Sequence, residues 1–218
     1  MKIRPRNFCV TVLCVAVFGG ATTACAPIIL GGAAISALVA TDRRTSGTQL
    51  EDEGIELRAY GRIRESLGDR VHINVTSYNR QVLVTGEVPN ARDKQAVEDI
   101  VKKVENVRSI VNEVAVLSGT SLTQRSTDVL TTGKVKAAFV DAKDLSSNAF
   151  KVVTERGTTY LMGLVTQREA TRATDIARST SGVLKVVRLF EIITDAELQR
   201  TLPQPAPVRN LPAPPPKT

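Results

Sequence analysis

The chain contains no tryptophan, and His72 is its only histidine in 218 residues. One imidazole with no thiol near it in sequence leaves no base for an activated nucleophile. No His/Cys cluster has metal-ligand spacing, no glycine-rich phosphate loop follows a strand, and the scattered carboxylates suggest no acid/base pair. The chain is therefore read as a non-enzyme that needs no cofactor. His72 sits between Val71 and Ile73 in an alternating stretch and is expected to face solvent. Without tryptophan the strongest interfacial anchor is missing, so any bilayer contact should be weak and salt-sensitive. Long apolar runs are absent too. Phe8 to Phe18 and Ile28 to Ala40 are each too short to span a membrane as a helix.

The ends of the chain carry distinct signals. Lys2, Arg4 and Arg6 precede the first apolar run, and small residues Gly19 to Ala24 lead to Cys25, the layout of a secretory signal. The Ala24-Cys25 junction resembles a bacterial lipoprotein signal, which implies that Cys25 becomes the lipidated first residue. Thr22 stands where such signals usually have Leu. A competing cut after Ala26 would place Pro27 directly beyond it, where proline is poorly accepted. Cys9 and Cys14 fall in the discarded run, so no thiol remains to form a disulfide. Residues 1–24 are thus read as the signal and 25–49 as a lipidated apolar tether. In the lipoproteins this signal resembles, an Asp after the lipidated Cys marks inner-membrane retention, so with Ala26 there the resemblance implies sorting to the outer membrane, with the protein facing the periplasm. Pro203, Pro205, Pro207, Pro212, Pro214, Pro215 and Pro216 crowd the other end, and 201–218 is read as an extended spacer with no assigned function.

Between these ends the chain copies itself. Ile73-Asn74-Val75-Thr76 and Val82-Leu83-Val84-Thr85-Gly86 return about 77 positions later as Phe150-Lys151-Val152-Val153 and Thr159-Tyr160-Leu161-Met162-Gly163. Two copies are too few for a solenoid, so a pair of self-contained domains is expected at 50–118 and 123–197. Each reads helix, strand, strand, helix, strand. In the first, Ile55, Ala59 and Ile63, with Tyr60 and Leu67, form a helical stripe; Val71, Ile73 and Val75 alternate with polar residues; and Asn90 and Asp93 open a second helix. In the second, Val135, Ala138, Phe139 and Ala142 line a helix, and Thr166 with Glu169 makes a capping-box pattern. The fold class is α+β: two tandem small sandwiches, each a three-stranded sheet covered by two helices. Gly86 and Gly163 hold the same place in both copies and mark a bend or a close backbone approach.

The paired units, with Asn74-Val75-Thr76, Gly86, Val153-Thr154-Glu155 and Leu161-Met162-Gly163-Leu164-Val165-Thr166, resemble the BON domain of bacterial envelope proteins. With Cys25 ahead of them, the chain is similar to dual-BON outer-membrane lipoproteins. The resemblance implies a non-enzymatic role: binding anionic phospholipid, supporting outer-membrane integrity and assisting outer-membrane assembly proteins.

Charge directs attention to the second copy. Leu50 to Leu117 carries ten Lys and Arg against twelve Asp and Glu, whereas Thr123 to Glu197 carries eleven against nine. Nucleic acid is excluded as a partner by compartment. On the first helix of the second copy, Lys136, Val140 and Lys143 share a face away from the core, and Leu130 and Lys134 extend it. Lysines beside apolar side chains suit an anionic bilayer surface, so these five residues form the expected phospholipid site. The rival reading is a protein-interaction scaffold, docking through exposed sheet faces or edges and the acidic residues Glu51, Asp52 and Glu53.

Overall fold

The computed structural model describes residues 42–201 apart from 118 and 120. The signal, Cys25, the apolar stretch after it and the proline-rich tail lie outside the described residues.

The first domain opens with helix α1 (Ser46–Leu67), whose N-cap Thr45 accepts the Thr48 N–H, and the helix stops at Gly68. It begins well before the stripe visible from Ile55. Strands β1 (His72–Tyr78) and β2 (Gln81–Val88) pair antiparallel across a two-residue turn. Asn79 and Arg80 both have positive φ, 51° and 64°, as a type I′ turn requires to match the strand twist. Helix α2 (Ala91–Lys102) starts at N-cap Asn90 and carries the chain across to β3 (Ser109–Asn112), parallel to β2, with short β4 (Ala115–Val116) extending the same edge. Ile55, Ala59 and Ile63 of α1 and Val97 and Val101 of α2 bury against Ile73, Val82, Val84 and Val88, each Ile and Val side chain worth about 1.5–3 kcal/mol of transfer free energy. Tyr60 does not join them. It lies about 100° round the helix from Ala59 and is 47% exposed.

The second domain repeats the plan with α3 (Leu122–Asp141), β5 (Phe150–Glu155), β6 (Thr158–Val165), α4 (Gln167–Ser179) and β7 (Lys185–Ile192), followed by short α5 (Asp195–Thr201). The sheet order is β5-β6-β7, antiparallel then parallel. Thr166 and Glu169 form the reciprocal capping box at the start of α4. Val135 and Phe139 of α3 and Ala170, Ala173 and Ala177 of α4 close over Phe150, Val152, Leu161 and Val165. A β-carbon on Gly86 would stand 2.0 Å from the His72 carbonyl oxygen, and one on Gly163 2.6 Å from that of Ala149. Both glycines therefore permit close backbone approach.

Helices cover only one face of each sheet, and the two remaining faces pack against each other. Tyr78 and Leu83 from the first sheet and Tyr160 and Met162 from the second are buried together, with Val111, Val153, Leu164, Val187 and Leu189 around them. This removes the sheet faces from the surfaces a scaffold could offer and leaves the edges. Strand β1 lies over β5 running the opposite way: Asn74 Nδ2 donates to Glu155 at 3.0 Å, Lys151 Nζ to the Ser77 carbonyl at 3.2 Å, and the Tyr78 hydroxyl to the Ala149 carbonyl at 3.2 Å.

The segment before α1 ties the domains together. Arg43 donates to the Leu164 carbonyl and makes a two-pronged pair with Glu169 at 2.7 and 2.8 Å. Arg44 binds Asp42 and Asp52 and stacks over Tyr78, 4.2 Å from the ring centroid. Residues 42–45, expected to be tether, are thus part of the folded body.

Candidate functional site

Helix α3 is held by one face and open on the other. Ser121 caps it by accepting the Gln124 N–H. Asp128, Thr131, Val135 and Phe139 turn inward, and the Asp128 carboxylate accepts the N–H groups of Arg156 and Gly157 at 2.8 and 2.9 Å, fixing the β5–β6 turn. Phe139 meets the Phe150 ring at 5.1 Å. With that face anchored, helical geometry dictates what looks outward.

Leu122, Val129 and Val140 are 78%, 72% and 69% exposed. Leu122, Val129 and Lys136 follow one another at seven-residue steps, with Val140 one turn beyond Lys136, so all four share one stripe. Gly133 lies along it with nothing within 4 Å of a β-carbon position, leaving the ridge flat. The five residues expected to form one site therefore divide. Lys136 and Val140 belong to the stripe, Leu130 and Lys134 lie on a neighbouring face, and Lys143 follows the C-cap Ala142 in the connecting loop. The sequence reading missed Leu122 and Val129 because it carried the outer face back only to Leu130, although their spacing from Lys136 was visible.

Electrostatics separate this surface from that of α1. Among the described residues Lys134, Lys136 and Lys143 form no ion pair, and all three are exposed. The cations of α1 are engaged instead: Arg58 with Glu51, and Arg62 with Glu105 at 2.8 Å and the Lys103 carbonyl at 2.6 Å. An anion approaching α3 meets uncommitted charge, whereas one approaching α1 meets neutralised pairs.

The single histidine and the acidic triplet are placed differently from the sequence expectation. His72 does not face open solvent: its Nδ1 lies 3.2 Å from Glu87 Oε2, beside the sheet interface. Glu87 is buried and also pairs with Arg156 at 3.0 Å. Glu155 is buried close by, accepting from Asn74, and burial followed by the neighbouring Glu87 charge pushes its carboxyl above the usual range. Burial likewise pushes the Tyr160 phenol up to about 12. This cluster joins the sheets, and its members His72 and Asn74 line a small cavity of about 140 Å³ beside Arg64 and Gly68. Asp52 is 1% exposed. It accepts Ser77 Oγ, Asn79 N–H and Arg80 N–H, each at 2.7 Å, and so is unavailable for docking. No group of three or more His, Cys, Asp and Glu side chains among the described residues is arranged to hold a metal ion. No described helix is long and apolar enough to cross a membrane.

Residues 52–118 and 127–194 each match the BON domain. The chain is 38% identical over 172 residues to the outer membrane lipoprotein DolP of Haemophilus influenzae, covering 78% of this chain and 89% of that protein. It is 30% identical over 154 residues to the 21 kDa hemolysin of Actinobacillus pleuropneumoniae, covering 70% and 79%. Among solved structures, the C-terminal domain of CdsD, the structural protein of the type III secretion system of Chlamydia trachomatis, aligns over 62% of this chain and 96% of that one, at 11% identity and a TM-score of 0.28.

Proposed function

The chain belongs to the BON-domain family and carries two copies of the domain, and on that premise we propose that it is an outer-membrane lipoprotein, acylated at Cys25, whose second domain binds anionic phospholipid through α3. The observation that supports this most directly is the exposed stripe of Leu122, Val129, Lys136 and Val140, where apolar side chains flank a cation with no ion-pair partner among the described residues. Each lysine near an anionic surface contributes about 1 kcal/mol, and the apolar side chains enter the headgroup boundary. Lys134 and Lys143 flank the stripe and add to the attraction. The missing tryptophan keeps intrinsic affinity low, and the lipid tether offsets that by holding the domain at high effective concentration near the bilayer. Its role in the envelope is to support outer-membrane integrity by reading lipid, with no bond made or broken.

Flotation tests this reading. Protein beginning at Asp42 is mixed with vesicles of phosphatidylglycerol or of phosphatidylcholine, and wild type is compared with Lys136→Glu plus Val140→Glu. Wild type should float only with the anionic vesicles, and less as salt rises. The double variant, with an unchanged melting temperature, should stay in the pellet fraction. Equal flotation of both proteins, or of neither, would discard the α3 site.

A further inference from the structure

We propose that the open edge of β1, together with the furrow beside α1, docks an extended basic segment of another polypeptide, which adds to the first sheet as a further strand. Among the described residues strand β1 pairs with β2 only. Across the two-residue hairpin Tyr78 and Gln81 form the hydrogen-bonded pair, so His72, Asn74, Thr76 and Tyr78 turn their backbone groups toward β2, and Ile73, Val75 and Ser77 turn theirs outward. Ser77 is already engaged: its N–H donates to Glu56 at 2.7 Å and its carbonyl accepts Lys151 Nζ. No hydrogen bond occupies the outward groups of Ile73 and Val75 among the described residues. Those groups are a template for one more strand.

The surroundings fit such a strand. A cavity of about 610 Å³ runs between α1 and this edge, walled by Leu57 and Tyr60 on one side and Val153 of β5 on the other, with Val75 along its floor. It continues past Tyr60 into a smaller one of about 140 Å³ at Arg64, Gly68 and His72. An added strand would lie in a trough with apolar walls above and below, where alternate side chains find burial on both sides. Leu57 is 74% exposed and would be covered. Edge strands are usually guarded by Lys, Pro or a sharp bend. The β1 sequence from His72 to Tyr78 contains no Lys, Arg or Pro.

Charge selects the occupant. The larger cavity is lined by Glu53 and Glu56 and by no cationic side chain. Glu56 is satisfied by Lys151 at 2.6 Å, whereas Glu53 is exposed and forms no ion pair among the described residues. A Lys or Arg near the start of an antiparallel guest strand would meet Glu53. Anionic phospholipid would be repelled from this wall, which distinguishes the furrow from the α3 stripe and makes the two sites independent.

The test uses the mature chain from Cys25 in neutral detergent micelles. The probe is a fluorescent, end-blocked peptide of sequence RVTVKTVS, with EVTVETVS as its acidic counterpart. Binding is read by anisotropy, and amide hydrogen exchange locates it. The basic peptide should bind and slow exchange at Ile73 and Val75 at least fivefold, and the acidic peptide should not bind. Val75→Pro removes an outward N–H without touching the pairing to β2 and should weaken binding at least tenfold. Glu53→Lys, an exposed change that leaves the fold unaffected, should weaken it to a similar degree and decides the matter if Val75→Pro melts early. Lys136→Glu should change nothing. Absence of binding at millimolar peptide, protection confined to other strands, or full binding by Glu53→Lys would overturn the proposal.

Discussion

Asp52 on α1 and Asp128 on α3 do the same work in the two domains: each carboxylate reaches from its helix into the hairpin turn below and accepts the two backbone N–H groups at its tip. The pairs are Asn79 and Arg80 in one copy, Arg156 and Gly157 in the other. Beyond these Asp52 takes Ser77 Oγ and the Arg44 guanidinium, whereas Asp128 takes only Gln124. Its hydrogen bonds outweigh burial and keep the Asp52 carboxyl below the ordinary Asp range.

Replacing these carboxylates should therefore cost unequal amounts. Asp52→Asn turns an amide NH₂ toward donors and leaves Arg44 with Asp42 as its one carboxylate partner, for a loss of about 2–4 kcal/mol. Asp128→Asn disturbs fewer partners and no cation, so about 1–2 kcal/mol is expected. Urea unfolding of both variants measures the difference, and equal losses would show that the extra partners of Asp52 contribute nothing.

The turn tips differ in another way. Arg80 sits at φ 64°, a left-handed conformation in which its counterpart is Gly157 at φ 71°. Arg80→Gly should relieve that penalty and stabilise the protein by about 0.5–1 kcal/mol, since the Arg80 side chain is exposed. Gly157→Arg should destabilise it by more than this, because a β-carbon there would also lie 2.7 Å from Leu184 Cδ1. Thermal melting of the two variants should give shifts of opposite sign.

Acid should first attack the strap before α1. Burial disfavours the charged form of Glu169, but the Arg43 guanidinium with the Thr166 N–H and hydroxyl more than offsets this and holds the carboxyl down to about 2. A carboxyl lowered by folding contributes stability above its unfolded pKa, here the model-peptide 4.5, and loses it as pH falls toward 2, a contribution on the order of 3 kcal/mol. Wild-type stability should drop across that window. Arg43→Met should lose about 3–5 kcal/mol at pH 7 and show a flatter profile between pH 4.5 and 2, which pH-dependent urea titration measures.

Glu155 has the opposite sign. Burial and the nearby Glu87 raise its carboxyl in the folded state, so its ionised form opposes folding at neutral pH and protonation removes that cost as pH falls. Glu155→Gln keeps an oxygen to accept Asn74 Nδ2 and should raise stability at pH 7 by about 1 kcal/mol, with the gain shrinking in acid. A loss of stability at pH 7 would mean that the carboxylate charge is needed by Arg156 and His72.

Much of each domain could be read from residue order alone, because the determining interactions are local or periodic. The 77-residue offset exposed the duplication, Asn90 and Thr166 announced their helix starts, and Ile55, Ala59, Ile63, Val135 and Phe139 marked buried faces by spacing. Gly86 and Gly163 marked close approaches because no side chain fits there. What the order of residues does not carry is which surface of one domain meets which surface of the other. That was settled by long-range packing: the bare sheet faces close on Tyr78, Leu83, Tyr160 and Met162, burying His72's partner Glu87 and drawing Arg43 across to Glu169. A hint lay in Val82-Leu83-Val84 and Tyr160-Leu161-Met162, unbroken apolar runs in place of alternation, as strands buried on both faces show. The α3 stripe was legible in part, since Lys136 and Val140 follow helical period, but Leu122 and Val129 joined it only once the helix start at Leu122 was known. Strand edges depend on which neighbours are absent, so the open side of β1 emerged only when every other strand had been placed.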